Sequence, residues 1–243
     1  MAQQKLGRAF VTSALRPIKV VRNYLRYPEG SCLFQMGHTK VLCTASLSDT
    51  VPEHAKLDNK GWVTAEYSML PRATTTRSAR GKIASGGRTK EIQRLIGRSL
   101  RSVIDLESIA NVGVFIDCDV LQADGSTRTA AINGAFIALV QGLRRWQKEG
   151  RLISWPVRDF VAAVSVGTVD GKPVLALDYE KDVRAEVDMN IVMTGSGQFV
   201  EVQRTAEHHP FTQRQHQQLL NLASHGVRKI LAIQKGLLGD IRR

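Results

Sequence analysis

Long apolar runs are missing from this chain of 243 residues. None approaches the roughly 18 residues that a membrane span requires, so no membrane association is expected. The opening Met1-Ala2-Gln3-Gln4-Lys5 lacks the apolar centre of a secretory signal, and a cytoplasmic location is the expectation. Cysteine is scarce: Cys32, Cys43 and Cys118 are an odd number, widely spaced, each in an apolar stretch. They fit neither a disulfide framework nor a zinc site and read as buried thiols. The six histidines show no ligand spacing. The chain also has no Ser–His–Asp signature, no phosphate-loop lysine motif and no Gly-x-Gly-x-x-Gly fingerprint after a strand. No side-chain nucleophile is on offer, so any attacking group is water or a bound anion.

What is present is ordinary globular composition, with 43% hydrophobic and 23% charged residues, and an extraordinary charge. Thirty-four basic residues against 22 acidic ones leave +12, and 22 of the basic residues are arginine. Guanidinium is the better planar, forked partner for phosphate. Between Arg72 and Arg101 nine basic residues face Glu91 alone, which places +8 of the +12 in one window. Such a field concentrates polyanions, and nucleic acid is the partner class it favours.

The length suits one large domain or two halves sharing a core. Strands are expected at 18–27, 31–36, 40–47 and 62–70, rich in β-branched and apolar residues and separated by turn signals. A basic loop follows over 72–87. From Thr89 the period becomes helical, with Ile92, Leu95, Ile96, Leu100 and Val103 on one face. A strand over 114–121, a turn at Ala123–Thr127 and a second helix complete the first half. The second half runs as strands at 161–169, 174–179, 185–193 and 198–203, then a helix capped by Thr212. The expectation is an α+β fold (mixed α/β), a single domain over 1–243 with halves of about 1–147 and 159–243.

Two turns share one device. Gly86-Gly87-Arg88-Thr89 opens the first helix, and Asp124-Gly125-Ser126-Thr127-Arg128 opens the second. A helix start leaves backbone N–H groups unpaired and carries partial positive charge, so it favours an anion. Two such starts, each with an arginine, suit a phosphate lying between them. Asp182, Glu186 and Asp188 fall within seven residues, with Glu186, Asp188 and Asn190 on one face of the expected strand. Clustered carboxylates suit a magnesium ion or a proton donor for a leaving group, or are a solvated strand face.

The chain resembles the ribonuclease PH family from Leu15-Arg16-Pro17 to about Gln234. The resemblance rests on Gly61-Trp62-Val63-Thr64-Ala65-Glu66-Tyr67-Ser68-Met69-Leu70-Pro71-Arg72, on Gly87-Arg88-Thr89 and on Glu91 to Arg98. It continues in Asp117 to Gly125, Thr127-Arg128-Thr129, Ala185 to Asn190 and Thr205-Ala206-Glu207. It implies mixed β-sheets packed with helices in two pseudo-similar halves. It also implies a phosphate-dependent 3′-to-5′ exoribonuclease, a nucleotidyltransferase that trims tRNA precursors and other RNA 3′ ends and releases nucleoside diphosphates. By the same resemblance Arg88, Ser126, Thr127 and Arg128 hold inorganic phosphate. Asp182 and Asp188 are the catalytic carboxylates and bind magnesium, and Arg72, Arg77 and Arg80 grip RNA from a neighbouring subunit of a homohexameric ring, a trimer of dimers.

Three positions depart from the family's motifs: His38 in Gly37-His38-Thr39, Ser126 where the family has glycine, and Arg204 in Gln203-Arg204-Thr205-Ala206. Arg204 is expected to set a bulky cation near the site, and Ser126 to strain a backbone that glycine would relax. These departures motivate an alternative, a ring-forming RNA-binding subunit with little catalysis.

Overall fold

The computed structural model describes residues 14–81, 86–206 and 210–241. Five strands form the first sheet: β1 (Ile18–Arg22), β2 (Gly30–Met36), β3 (Thr39–Ser48), β4 (Trp62–Met69) and β5 (Gly113–Gln122). Their order is β1-β2-β3-β5-β4, antiparallel except for the β4–β5 pair. A parallel pair needs a crossover, and α2 (Gly87–Arg101) supplies it. A short helix, α1 (Glu53–Leu57), precedes β4. β3 alternates buried and half-buried residues, so one sheet face is turned to the core.

That face carries α3 (Thr127–Lys148), which packs on β2 and β3 and also on β6 (Val161–Val169) of the second sheet. A helix between two sheets must be apolar all round: Ile132, Ala135, Phe136, Leu139, Val140 and Leu143 are buried on one face of it, and Ala130, Gly134, Ile137 and Ala138 on the other. Contact is close. A Cβ on Gly30 would lie 1.9 Å from the Ala138 carbonyl oxygen, so only glycine fits there. The three cysteines stand side by side on β2, β3 and β5, with Cys32 opposite Cys43 and Cys43 opposite Cys118. Cys32 donates to the Gly134 carbonyl, and Cys43 and Cys118 to that of Ala131. All three are buried free thiols, and burial pushes the Cys43 thiol well up from its ordinary value.

The second sheet is antiparallel, in the order β7-β6-β8-β9, from β6 (Val161–Val169), β7 (Lys172–Leu175), β8 (Val187–Thr194) and β9 (Phe199–Ala206). Asp170 and Gly171 both take positive φ in the β6–β7 hairpin, as the sequence suggests. Beyond the reach of β7, the edge of β6 is satisfied by helices. Asn133 of α3 exchanges two hydrogen bonds with the backbone of Ala163, and Gln234 donates to the Val161 carbonyl. Gln234 lies on α5 (Gln213–Leu238), which starts with a Thr212–Gln215 capping box. Apolar side chains of both sheets and the long helices make one contiguous core. Among the described residues no helix is long and apolar enough to cross a membrane.

Two expectations need correction. The first strand ends at Arg22 rather than residue 27, because Asn23 takes a positive φ and its N–H turns back to the Ser31 carbonyl. The stretch expected as a strand over 174–179 stops at Leu175, where Ala176 adopts φ 56°. Asp178 then caps a short helix, α4 (Tyr179–Arg184), which carries Asp182.

Candidate active site

The two helix starts meet. Arg88 leaves the first turn of α2, whose N-cap is Gly86, and Arg128 leaves the first turn of α3, whose N-cap is Ser126. Both line a cleft of about 140 Å³. Ser126 and Thr127 complete this cationic wall. Asp182, Asp188, Ser165 and Asn190, all from the second half of the chain, form the rest of the lining, its acidic wall.

The turn beneath α3 is pinned from three sides. Arg16 donates to the Asp124 carbonyl at 2.7 Å, the Thr39 hydroxyl donates to the Gly125 carbonyl at 2.7 Å, and the Tyr179 N–H donates to Asp124 Oδ1 at 3.2 Å. Gly125 has φ 67°, and a Cβ there would lie 2.5 Å from the Leu177 carbonyl oxygen. Ser126 follows at φ 55° and ψ 27°, a conformation costing a non-glycine residue about 1 kcal/mol. The strain expected at this position is therefore present. Its hydroxyl donates to the Leu177 carbonyl at 2.7 Å.

Arg128 is buried and held by acceptors. Its Nη1 donates to Gln203 Oε1 at 2.5 Å and to Glu91 Oε1 at 3.2 Å, while Gln203 Nε2 donates to the same Glu91 oxygen at 2.6 Å. The Tyr67 hydroxyl donates to Thr127 Oγ1 at 2.9 Å. Burial raises the Tyr67 pKa, opposed by the Thr127 hydrogen bond and the charges of Arg88 and Arg128.

Asp188 is strongly perturbed. Burial, and then the charge of Asp182, push its pKa up to about 6, against the pull of Arg128, the Asn190 hydrogen bond and Arg88. Asn190 Nδ2 donates to Asp188 Oδ2 at 3.1 Å, whereas Asp188 Oδ1 is buried without a hydrogen-bond partner. An orphaned carboxylate oxygen beside a second carboxylate suits a divalent cation or a retained proton. Among the described residues no group of three or more His, Cys, Asp and Glu is arranged to hold a metal ion. Magnesium bound here would draw further ligands from water or phosphate, which is its usual habit.

Several expected residues lie elsewhere. Glu186 accepts from the Gly171 N–H at 3.0 Å, at the hairpin rather than the cleft. Arg204 pairs with Met189 in the β8–β9 register, on the face opposite Asp188 and Asn190. It stacks on Phe211 and contacts His216 of α5, so the cation expected near the site points away from it. His38 is exposed at the β2–β3 turn, and its buried neighbour Thr39 makes the site contact. Arg72, Arg77 and Arg80 are exposed on the segment after β4 and do not line the cleft. The segment is tied in place by the Ala123 N–H donating to the Ala73 carbonyl. Arg80 lies near Asp119 on β5: burial and Asp117 hold the Asp119 carboxyl above its ordinary value, and Arg80 acts in the other direction.

The charge field is less free than the composition suggests. Arg98 pairs with Glu201 at 2.8 Å, and Arg101 donates to the Val63 carbonyl at 2.7 Å while stacking over Trp62. Lys90 and Arg94 remain exposed on α2. Sequence reasoning missed Ser165, Gln203 and the clasp of Glu91 on Arg128. Asn190 was legible as the residue two beyond Asp188 on one strand face; Ser165 becomes visible only when β6 pairs with β8, opposite Asn190.

Known proteins share this architecture. Residues 14–142 match the model of the 3′ exoribonuclease family, domain 1, and residues 159–226 match that of domain 2. Ribonuclease PH of Moorella thermoacetica is 53% identical over 231 residues, covering 93% of this chain and 92% of that protein. Among solved structures, rice (Oryza sativa) Rrp46 matches with a TM-score of 0.75 at 19% identity, over 96% of this chain and 98% of the other. The Archaeoglobus fulgidus exosome with RNA bound to the active site matches with a TM-score of 0.77 at 20% identity, over 90% of this chain and 88% of the other. At such identities the two structures speak for the fold, and the bacterial relative and the two family models speak for descent: the chain belongs to the 3′ exoribonuclease family, in its ribonuclease PH branch.

Proposed function

We propose that the cleft binds inorganic phosphate against the 3′ end of an RNA and that the protein trims tRNA precursors by phosphorolysis. The observation that carries this reading is the meeting of Arg88, Thr127 and Arg128 with Asp182 and Asp188 in one cleft. Attack of one anion on another needs positive groups already in place, and Arg88, Arg128 and the two helix starts supply them. A phosphate oxygen bonds to the phosphorus of the last linkage, and the bond to the preceding ribose 3′-oxygen breaks. The products are a nucleoside diphosphate and an RNA shorter by one residue. The departing oxygen needs a proton, and Asp188, with a pKa of about 6, holds one at mildly acid pH. When ionised, Asp188 would instead join Asp182 in holding magnesium, which when bound neutralises charge on the reacting phosphates. The bonds made and broken are alike, so the reaction runs in both directions.

Arg72, Arg77 and Arg80 support a ring in which exposed arginines of one subunit reach RNA entering another, with a hexamer as the assembly. The alternative of a weakly catalytic ring subunit keeps only Ser126 in its favour, since neither His38 nor Arg204 lines the cleft. One assay separates the readings: incubation of a labelled tRNA precursor with and without phosphate and magnesium, beside an Asp188→Ala control. Diphosphate release that requires phosphate is expected. Monophosphates in phosphate-free buffer, or wild-type rates equal to the control, would refute the proposal.

A further inference from the structure

We propose that the Ser126 hydroxyl is a latch fixing the spacing between the two walls of the cleft, so that Ser126 and Ser165 are positioning residues; the catalytic part of this inference rests on the function proposed above. Ser126 Oγ lies 2.6 Å from Ser165 Oγ on β6 and donates to the Leu177 carbonyl at 2.7 Å. The Leu177 N–H donates to Ser165 Oγ at 3.2 Å. Each hydroxyl has one proton, so the set closes in one way. Ser165 donates to Ser126, Ser126 to the Leu177 carbonyl, and the Leu177 N–H to Ser165. Linked hydrogen bonds of this kind polarise and strengthen one another.

The ring ties three segments that are far apart in sequence: the start of α3, the middle of β6 and the residue before the Asp178 cap. What it controls is α4. That helix has six residues and buries none of them, so it has no apolar anchor of its own. What holds its flanks therefore bears directly on the position of Asp182. On one side these are the Ser126–Ser165–Leu177 ring and the bond from the Tyr179 N–H to Asp124. The left-handed backbone of Ser126 fits this role: glycine would sit there with less strain, but only a side chain can reach across to Leu177. A proton committed to a carbonyl is not available to phosphate, so Ser126 meets a bound anion through its backbone N–H.

The test compares Ser126→Gly, Ser165→Ala and the double variant with the wild-type chain. Glycine suits φ 55° and keeps the backbone N–H, so Ser126→Gly removes the latch without disturbing the turn. Expected are an unchanged melting temperature for Ser126→Gly and amide exchange about tenfold faster across 178–184. Phosphorolysis should show kcat lowered about tenfold with the phosphate KM within twofold. Ser165→Ala should lower kcat equally, and the double variant should lose no more than either single one. Unchanged exchange across 178–184, additive losses in kcat, or a raised phosphate KM at constant kcat would each overturn the latch. The last result would make the hydroxyl a phosphate ligand. Exchange is read without substrate, so it decides on the latch even if the wild type releases no nucleoside diphosphate and the functional reading fails.

Discussion

On the cationic side of the cleft, Arg88 and Arg128 leave the first turns of helices of 15 and 22 residues, both anchored by buried apolar stripes. On the acidic side, Asp182 stands on a helix of six residues that buries none, and Asp188 leaves the second position of β8. One wall is thus held by the hydrophobic core, which responds little to solvent conditions. The other is held by the core only through β6 and β8, while α4 with Asp182 rests on polar contacts, and it carries Asp188, whose carboxyl is pushed up to about 6. The comparison separates two duties: binding the anion falls to the rigid wall, and moving protons or holding a cation to the adjustable one.

The sharpest break in this division is Asp188→Asn, which keeps the shape and removes the charge. A fall in phosphorolysis kcat of about 10²–10³ is expected, with little change in the phosphate KM, read by separating nucleoside diphosphates from RNA. Arg128→Lys tests the other wall. It retains the charge but loses the planar guanidinium, whose Nη1 meets both Gln203 and Glu91, and kcat/KM for phosphate should drop about thirtyfold, chiefly through KM. A KM effect at Asp188 with a kcat effect at Arg128 would reverse the assignment.

Stability against pH sharpens the contrast further. The folded pKa of Asp188, about 6, lies above its ordinary value of 3.8, so the folded state holds this proton more tightly than the unfolded chain does. The stabilisation is complete below about pH 4 and is lost as pH rises through about 6. Without magnesium, the advantage of Asp188→Asn over wild type in urea unfolding should grow by on the order of 2 kcal/mol between pH 4.5 and 7.5. A difference that stays constant would mean that the carboxyl titrates normally. The smallest effect belongs to His38→Ala: exposed at its turn, the side chain should leave activity within twofold and stability within about 0.5 kcal/mol.

The same contrast explains what was legible in the sequence. The helices of the cationic wall announce themselves through the spacing of Ile92, Leu95, Ile96 and Leu100 and through glycines before each start. Their meeting in one cleft was an inference from two similar turns, and the fold supplies the reason in α3, which touches both sheets. The acidic wall was legible only in part. The alternation around Asp188 and Asn190 was visible, but α4 was not, since six residues without an apolar stripe carry no periodic signal. Glu186 and Arg204 were misplaced because a residue's facing depends on strand register, which turns and partners set.

The row of Cys32, Cys43 and Cys118 beneath α3 gives the molecule an internal reporter. Gly134 packs so closely that a single added carbon would sit 2.6 Å from the Cys43 sulfur, and no alkylating reagent fits there while the helix is seated. Modification of Cys43 must wait for α3 to lift off the first sheet, which would dismantle the anion cradle at its leading end as well. The rate at which this thiol is captured in the native protein therefore clocks how often the whole phosphate site comes apart.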